Sequence, residues 1–348
     1  MDVTRQLVEL DIHVLGIKDM AGLLKPQAAE ILVGALREEF PDLPIHVHTH
    51  DTAGTGVTSM LACAKAGADA VDVAIDSMSG LTSQPSMGAV VASLEGSDLD
   101  TGVDMSELAE LNDYWEAVRG MYAPLESGQK SGSSDVFHHE MPGGQYTNLL
   151  FQSQQLGLAG QWPAVKKAYA DANELMGDIV KVTPSSKVVG DLAQFMVSNN
   201  LTKEEVLEQA ETLSLPSSVV EYFQGYLGIP SVRGPPLAIA RLKPPHRLTY
   251  VCSLGQGGFP ELMRSRVLAT KPPLPNGKSC FEGRPGAEMD DFDFDGAHAE
   301  LSKKYGEVDH KEVLSHVMYP AVYAEYKQAQ QSYGDVSTLP TNRFLQPM

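Results

Sequence analysis

Two short stretches carry the residues best suited to chemistry. The first, His13-Val14-Leu15-Gly16-Ile17-Lys18-Asp19, is an apolar run that delivers a lysine and an aspartate at its end, and Gly22 then breaks toward a helix. The second, Ile45-His46-Val47-His48-Thr49-His50-Asp51, alternates residue types. In an extended strand that period puts His46, His48 and His50 on one face and Ile45, Val47 and Thr49 on the other. Two imidazoles two apart on a strand reach one ion from the same side, and neutral imidazole suits Zn, Mn or Co. Asp51 can accept the hydrogen bond from the far ring nitrogen that metal-bound histidines need, and Lys18 sits at the equivalent end of the preceding strand. A lone His-x-His fits an exposed strand without a metal equally well.

A second candidate lies in Lys181-Val182-Thr183-Pro184-Ser185-Ser186-Lys187, ahead of a helix over 188–199. Thr183 or a following serine is placed to cap that helix, and a plain capping loop would explain the pattern. A helix N-terminus with free hydroxyls and a lysine also suits an anionic or urea-like group.

The elements that position these residues alternate. Strands near 12–18, 44–50 and 70–76 are followed by helices over 26–40, over 56–66 with Gly67 at its end, and from about 84–86. This βαβαβα run with short loops predicts a parallel sheet covered by helices. The candidate residues fall at strand C-terminal ends, where (β/α)8 barrels keep their chemistry. Three units and part of a fourth are present against the eight of a closed barrel, and the first residues already read as mid-domain sequence. The expected class is therefore α/β: the C-terminal part of a (β/α)8 TIM barrel over 1–100, followed by a mainly helical extension over 101–230.

In that extension the pattern predicts helices over 105–119, 146–157, 163–176, 187–199, 203–213 and 217–227, with a Pro-Gly-Gly turn at Glu140–Asn148. Residues 231–256 break the texture: basic residues and no acidic ones, two Pro-Pro pairs and no period, an atypical insertion expected to be disordered. Residues 257–348 read as a linker and helices, over 296–306 and 310–330. The run Asp290–Asp295 lacks the spaced ligands of a calcium loop and reads as a solvated acidic linker.

Composition narrows the partners. A net charge of −19 over 348 residues argues against nucleic acid or an anionic membrane surface. Cys63, Cys252 and Cys280 are odd in number and widely spaced, which fits a reducing compartment. No apolar run reaches membrane-span length, and no targeting segment is expected at Met1-Asp2-Val3-Thr4.

Five blocks, GIKDMAGLLKP, HVHTHDTAGTGV, ADAVDVAIDSMSGLTSQPSMGA, EMPGGQYTNL and KVTPSSKVVGDLAQFM, in this order resemble the pyruvate carboxylase family, in its carboxyltransferase domain from about the middle of the barrel onward. The resemblance covers nearly the whole chain except 231–256. It implies that Lys18, carboxylated at Nζ, and His48 and His50 are ligands of a divalent metal, Mn or Zn, with His46 an ordinary strand residue. It implies that Thr183 moves a proton between the methyl group of pyruvate and a ring nitrogen of biotin, and that Ser186 and Lys187 contact the biotin ring. The implied reaction is carboxyl transfer from carboxybiotin to pyruvate, giving oxaloacetate, with ATP used only by a separate biotin carboxylase domain. The implied partners are pyruvate, a biotin carrier domain and full-length subunits of a homotetramer, and the implied location, from the animal enzymes, is the mitochondrial matrix.

The departures are as specific. The first half of the barrel, with the family's aspartate ligand and the arginine that holds the pyruvate carboxylate, has no counterpart here, nor do the biotin carboxylase and carrier domains. The chain ends just inside the tetramerisation region of the family. An isolated fragment of this extent is expected to be inactive, and residues 231–256 are expected to be translated intervening sequence. Two other readings stand beside this one. One is a non-catalytic polypeptide that only associates with full-length subunits; the other is a subunit of a related biotin-dependent decarboxylase or transcarboxylase.

Overall fold

The structure, a computed structural model, describes residues 1–228, 259–274, 276–281 and 283–334. The atypical segment 231–256, with Cys252, lies outside the described residues. The chain divides into two compact units, Met1–Pro285 and Gly286–Met348. The boundaries read from sequence at 100 and 257 both fall inside the first unit.

The first unit opens with helix α1 (Asp2–Glu9), then β1 (Leu15–Asp19), α2 (Pro26–Glu39), β2 (Ile45–Thr49), α3 (Gly56–Lys65), β3 (Ala70–Val71) and α4 (Met87–Leu94). The three strands form a parallel sheet in the order β1-β2-β3. Pro26 starts α2 at a position whose N–H has no intrahelical partner in any helix, so the ring costs nothing there. Ala29, Val33 and Leu36, spaced by four and three, form the buried stripe of α2. They pack on Leu15, Ile45 and Val47 of the strands and on Met60 and Cys63 of α3. Val33, Ile45, Val47 and Met60 are fully buried, each contributing about 1.5–3 kcal/mol over an exposed position. At the N-terminal end of the strands Arg37 closes the layer, donating to the carbonyls of Gly67, Pro41 and Leu43 and pairing with Asp69.

β3 is shorter than the strand expected over 70–76. Asp72 N–H still donates to Val47 O at 2.9 Å, but Ala74 has turned to exchange hydrogen bonds with Pro85 and Met87 at 2.9 and 2.8 Å. Asp76 then accepts from Ser86 Oγ and Gly88 N–H, both at 2.7 Å, which folds the returning chain back and ends the ladder.

Among the described residues this unit has eight further α-helices: α5 (Met105–Tyr122), α6 (Val136–His139), α7 (Gly143–Gln155), α8 (Trp162–Leu175), α9 (Ser185–Ser198), α10 (Lys203–Gln209), α11 (Ser217–Gln224) and α12 (Phe259–Thr270). The last has no counterpart among the expected helices, yet its Met263 and Val267, four apart, are fully buried. They join Tyr169, Leu175, Met176, Leu192 and Met196 in a second apolar core. This helical layer meets the C-terminal end of the sheet through two backbone hydrogen bonds. Gly143 N–H donates to Met20 O and Ser133 N–H to Thr52 O, each at 2.8 Å.

The second unit has helices over Phe294–Tyr305, His310–Met318 and Pro320–Tyr333 around Leu301, Val308, Val313 and Tyr323. Asp293 caps the first and an Asp309–Glu312 capping box opens the second. Within the acidic run, Asp293 is thus a helix cap on an exposed stretch, in keeping with the solvated reading. The single helix expected over 310–330 is two helices, because Pro320 cannot continue the ladder of the preceding one and instead starts the next. No helix of the described residues is long and apolar enough to cross a membrane.

Candidate active site

The turn after β1 is built on Asp19. One carboxylate oxygen accepts from the N–H groups of Gly22 and Leu23, at 3.1 and 2.9 Å. The other accepts from Leu24 N–H and Thr49 Oγ1, both at 2.8 Å. Thr49 lies on β2 directly opposite Asp19, so the same carboxylate locks the two strand ends in register. Gly22, at φ +76°, passes so close to the His50 carbonyl that no side chain fits there. That register sets Lys18 opposite His48. Paired residues of a parallel sheet face the same side, so both project from the face away from the core. Lys18 is exposed, and its ammonium has no hydrogen bond or ion pair among the described residues.

The two expected ligand histidines are held alike. His48 Nδ1 donates to Asp72 Oδ2 at 2.7 Å, and His50, just past the strand, donates from Nδ1 to the Thr82 carbonyl at 2.6 Å. Each acceptor fixes the proton on Nδ1 and leaves the Nε2 lone pair of that ring without a partner among the described residues. The ring centroids are 5.3 Å apart. Burial lowers the His50 pKa, against the opposing pull of the Thr82 carbonyl, and so favours the neutral ring that a metal requires. Burial alone would raise the Asp72 carboxyl, but the hydrogen bonds from His46 and His48 hold it below the usual carboxylate range. His46 shares this carboxylate through Nε2, at 2.6 Å.

Asp51 does not support either ring. Its Oδ1 accepts from Gly56 N–H at 2.7 Å, ahead of α3. The reason is the strand period: 51 follows the parity of Ile45, Val47 and Thr49, the buried side, and not that of the histidines. The supporting groups missed from the sequence are Asp72 and the Thr82 carbonyl. A carboxylate inside the apolar run Ala70-Val71-Asp72-Val73 was a usable signal for the first. A backbone carbonyl from a loop leaves none.

No group of three His, Cys, Asp or Glu side chains among the described residues could hold a metal. The arrangement nevertheless fits one whose third donor is Lys18, since two oriented imidazoles present Nε2 atoms without partners among the described residues beside it. An ammonium has no lone pair to ligate with, so a lysine at this position could act as a donor only as its carbamate. Asp72→Ala should lower metal affinity about 10–100-fold by freeing the His48 ring, as read from chelator competition. Affinity equal to that of the unaltered chain would remove Asp72 from this role.

The second candidate segment approaches through α7 and the turn before it. Gly143 is buried, and a Cβ there would collide with His50 Nδ1 and lie 2.7 Å from Thr82 O. Ahead of it, Glu140 pairs with Lys181 at 3.0 Å, and Lys181 precedes Thr183 by two residues. Thr183 is exposed and its hydroxyl has no partner among the described residues. It does not cap α9: the cap position is Pro184, and no side chain accepts from the first turn. Ser185 does not cap it either, since its Oγ lies 2.6 and 2.5 Å from the carbonyls of Val180 and Val182, within its own loop. Proline displaces the expected cap because the helix begins immediately after it, one position beyond the threonine's reach. Ser186 is buried in the first turn, and the exposed Lys187 lies 2.5 Å from Asp191, which also accepts from Ser218 Oγ.

His139, before the same turn, is buried, and its Nδ1 accepts from Met141 N–H at 3.0 Å. Burial pushes its pKa from 6.5 down to about 4. The unfolded chain binds the extra proton between those values, so stability is full above the unfolded pKa and falls as pH drops toward the folded one. Acidification from pH 6.5 to about 4 should remove about 3 kcal/mol through this residue. Urea unfolding across that window should show this slope, and His139→Gln should flatten it; an equal slope in both proteins would assign it elsewhere.

Family models match along the chain in two parts. An HMGL-like model matches residues 1–114, and a conserved carboxylase domain matches 136–242 and 254–348, more than half of the chain. The chain belongs to the pyruvate carboxylase family. It is 50% identical to pyruvate carboxylase 1 of Caenorhabditis elegans and 50% identical to the mitochondrial pyruvate carboxylase of Homo sapiens, each over 99% of this chain. It spans 27% of the length of each of those relatives. Among solved structures it is similar to the carboxyl transferase domain of Rhizobium etli pyruvate carboxylase, at 42% identity and a TM-score of 0.80 over 99% of this chain and 52% of that one. The same domain solved with pyruvate and biocytin matches at 42% identity and a TM-score of 0.81, over 99% of this chain and 52% of that one. The chain therefore represents the carboxyltransferase part of the family, and its fold is the α/β, barrel-derived one. The family match breaks between 242 and 254, inside the segment whose composition departs from the rest.

Proposed function

We propose that this segment carries out the carboxyl-transfer half of a pyruvate carboxylase reaction, moving a carboxyl group from carboxybiotin to pyruvate to give oxaloacetate. The observation that carries the reading is the pair of histidines, His48 and His50, each held through Nδ1 with a free Nε2 beside Lys18. A divalent ion, Mn or Zn, bound there would stabilise the negative charge that develops on the pyruvate oxygen. Lys18 contributes as its Nζ carbamate, an anionic donor in place of a cation that would repel the ion. Asp72 and the Thr82 carbonyl keep the rings turned to the site.

As the carboxyl leaves the ring nitrogen as carbon dioxide, Thr183 Oγ gives its proton to that nitrogen and takes one from the methyl carbon of pyruvate, and the enolate carbon so formed bonds the carbon dioxide. The methyl group is only a weak carbon acid, so the exchange depends on holding it, the hydroxyl and the ring nitrogen close. The unshared hydroxyl of Thr183 is consistent with this role. Ser186 and Lys187 are assigned to the biotin ring; Lys187 would exchange Asp191 for it. Residues 1–100 supply the last βα units of the barrel, 101–230 its helical extension, and the residues from 257 lead toward a tetramerisation region. The partners proposed are pyruvate, a biotin carrier domain and full-length subunits of a homotetramer, in the mitochondrial matrix as the names of the animal relatives suggest.

The test is a full-length carboxylase carrying this segment in place of its own, assayed for fixation of labelled bicarbonate into oxaloacetate. Turnover within about tenfold of the parent supports the reading, since the groups moving the proton are then in place. A folded, biotinylated chimera that cleaves ATP with bicarbonate yet forms no oxaloacetate would overturn it.

A further inference from the structure

Glu140 occupies the left-handed region, at φ +52°, where a residue with a Cβ is disfavoured and glycine is the usual occupant. The turn itself makes no use of the side chain: the backbone N–H closes α6 by donating to Val136 O at 2.7 Å. The carboxylate instead reaches Lys181 Nζ, 41 positions along the chain, at 3.0 Å. The Lys181 side chain is only 10% exposed and Glu140 42%, so the ammonium is largely removed from water and this carboxylate is its ion-pair partner.

The turn offers a rigid anchor. Met141 N–H is held by His139 Nδ1 at 3.0 Å, and Gly143 N–H by Met20 O at 2.8 Å, directly against the His50–Thr82 hydrogen bond. The segment on the other side has weaker support. Around Thr183 the hydrogen bonds of Val180, Val182 and Ser185 stay within the loop, and α9 begins without a side-chain cap. Among the described residues, the ion pair is the polar link that crosses from this loop to the turn.

We infer that Glu140 is a positioning residue for carboxyl transfer, whose ion pair with Lys181 holds Thr183 at a fixed distance from the His48–His50 end of the sheet. The inference rests on the reading of Thr183 as the proton carrier. It also explains why a glutamate, and not a glycine, stands at a left-handed position.

The experiment has two arms. In this chain, hydrogen exchange of the amides over 180–187 is compared among the unaltered protein, Glu140→Gln and Glu140→Gly. In a full-length carboxylase carrying the segment, transfer kcat, KM for pyruvate and bound metal are measured for the same variants and for the charge swap Glu140→Lys with Lys181→Glu. Glu140→Gln should speed exchange over 180–187 and lower transfer kcat about tenfold or more, with KM and metal content unchanged. Glu140→Gly relieves the backbone and should lose transfer equally without losing stability. The charge swap should restore most of it.

Unchanged exchange with unaltered transfer in both single variants would overturn the proposal, as would a loss that the charge swap does not repair. Thr183→Ala separates this failure from that of the underlying reading. Normal transfer in Thr183→Ala, with exchange over 180–187 still accelerated by Glu140→Gln, would remove the proton-carrier role while upholding the link.

Discussion

Thr183→Ala should leave the fold intact and lower carboxyl transfer to pyruvate at least about a hundredfold, the usual scale for a lost acid–base group. A threonine before a helix ordinarily raises a competing explanation, since loss of a capping hydroxyl costs about 1 kcal/mol. That explanation does not apply here. Pro184 holds the cap position, no side chain accepts from the first turn of α9, and Thr183 is exposed with no hydrogen-bond partner among the described residues. The denaturation midpoint of the variant should therefore match the parent, so any loss of transfer belongs to the chemistry. Measured in a full-length carboxylase carrying the segment, bicarbonate-dependent ATP cleavage should survive, because it occurs at a different site. Thr183→Ser returns a hydroxyl on a similar stem and should recover part of the rate. Near-normal oxaloacetate formation by the alanine variant would remove the proton-carrier assignment. A clear drop in its stability would instead restore a structural role.

What the sequence revealed of this arrangement follows how local each determinant is. The strand carrying the histidines was legible because period-2 alternation is a local signal, and Ile45, Val47 and Thr49 are indeed its buried side. Helix α2 was legible from its proline start and its apolar spacing. The same locality misled at the strand ends. Asp51 adjoins His50 in sequence but has the wrong parity, whereas Asp72 is distant in sequence and reaches two histidines through the pairing of β2 with β3. Composition alone could not separate those two aspartates, because the difference is a register. Thr183 read as a cap because hydroxyls before a helix usually are; the helix starts one residue too late for it. Helix α12 follows the atypical segment, and its packing stripe, Met263 and Val267, is too short to stand out without the core it completes. The break at Pro320 was in plain sight, and the apolar pattern on either side masked it.

Gly143→Ala should lower the metal affinity of the site about 10–100-fold, although the residue is neither a ligand nor a neighbour of one in sequence. Gly143 is the first residue of α7 and does not need a left-handed backbone. On local grounds alanine would be welcome, worth up to about 1 kcal/mol in a helix. The obstacle is tertiary. The new methyl group would collide with His50 Nδ1 and sit 2.7 Å from the Thr82 carbonyl, the two atoms whose hydrogen bond aims the ring. Either His50 must leave Thr82, or α7 must lift from its hydrogen bond to Met20 O. The first course frees the ring to turn its Nε2 away; the second opens the turn beside it. Overpacking of this kind also destabilises by about 1–3 kcal/mol. Gly144 provides the internal control, since a Cβ there meets nothing within 4 Å. Gly144→Ala should leave metal binding unchanged and stability equal or slightly higher. Metal retention after dialysis, chelator competition and thermal unfolding on the two variants would decide the matter. If Gly143→Ala binds metal as tightly as Gly144→Ala, the contact with the His50–Thr82 pair plays no part in holding the site.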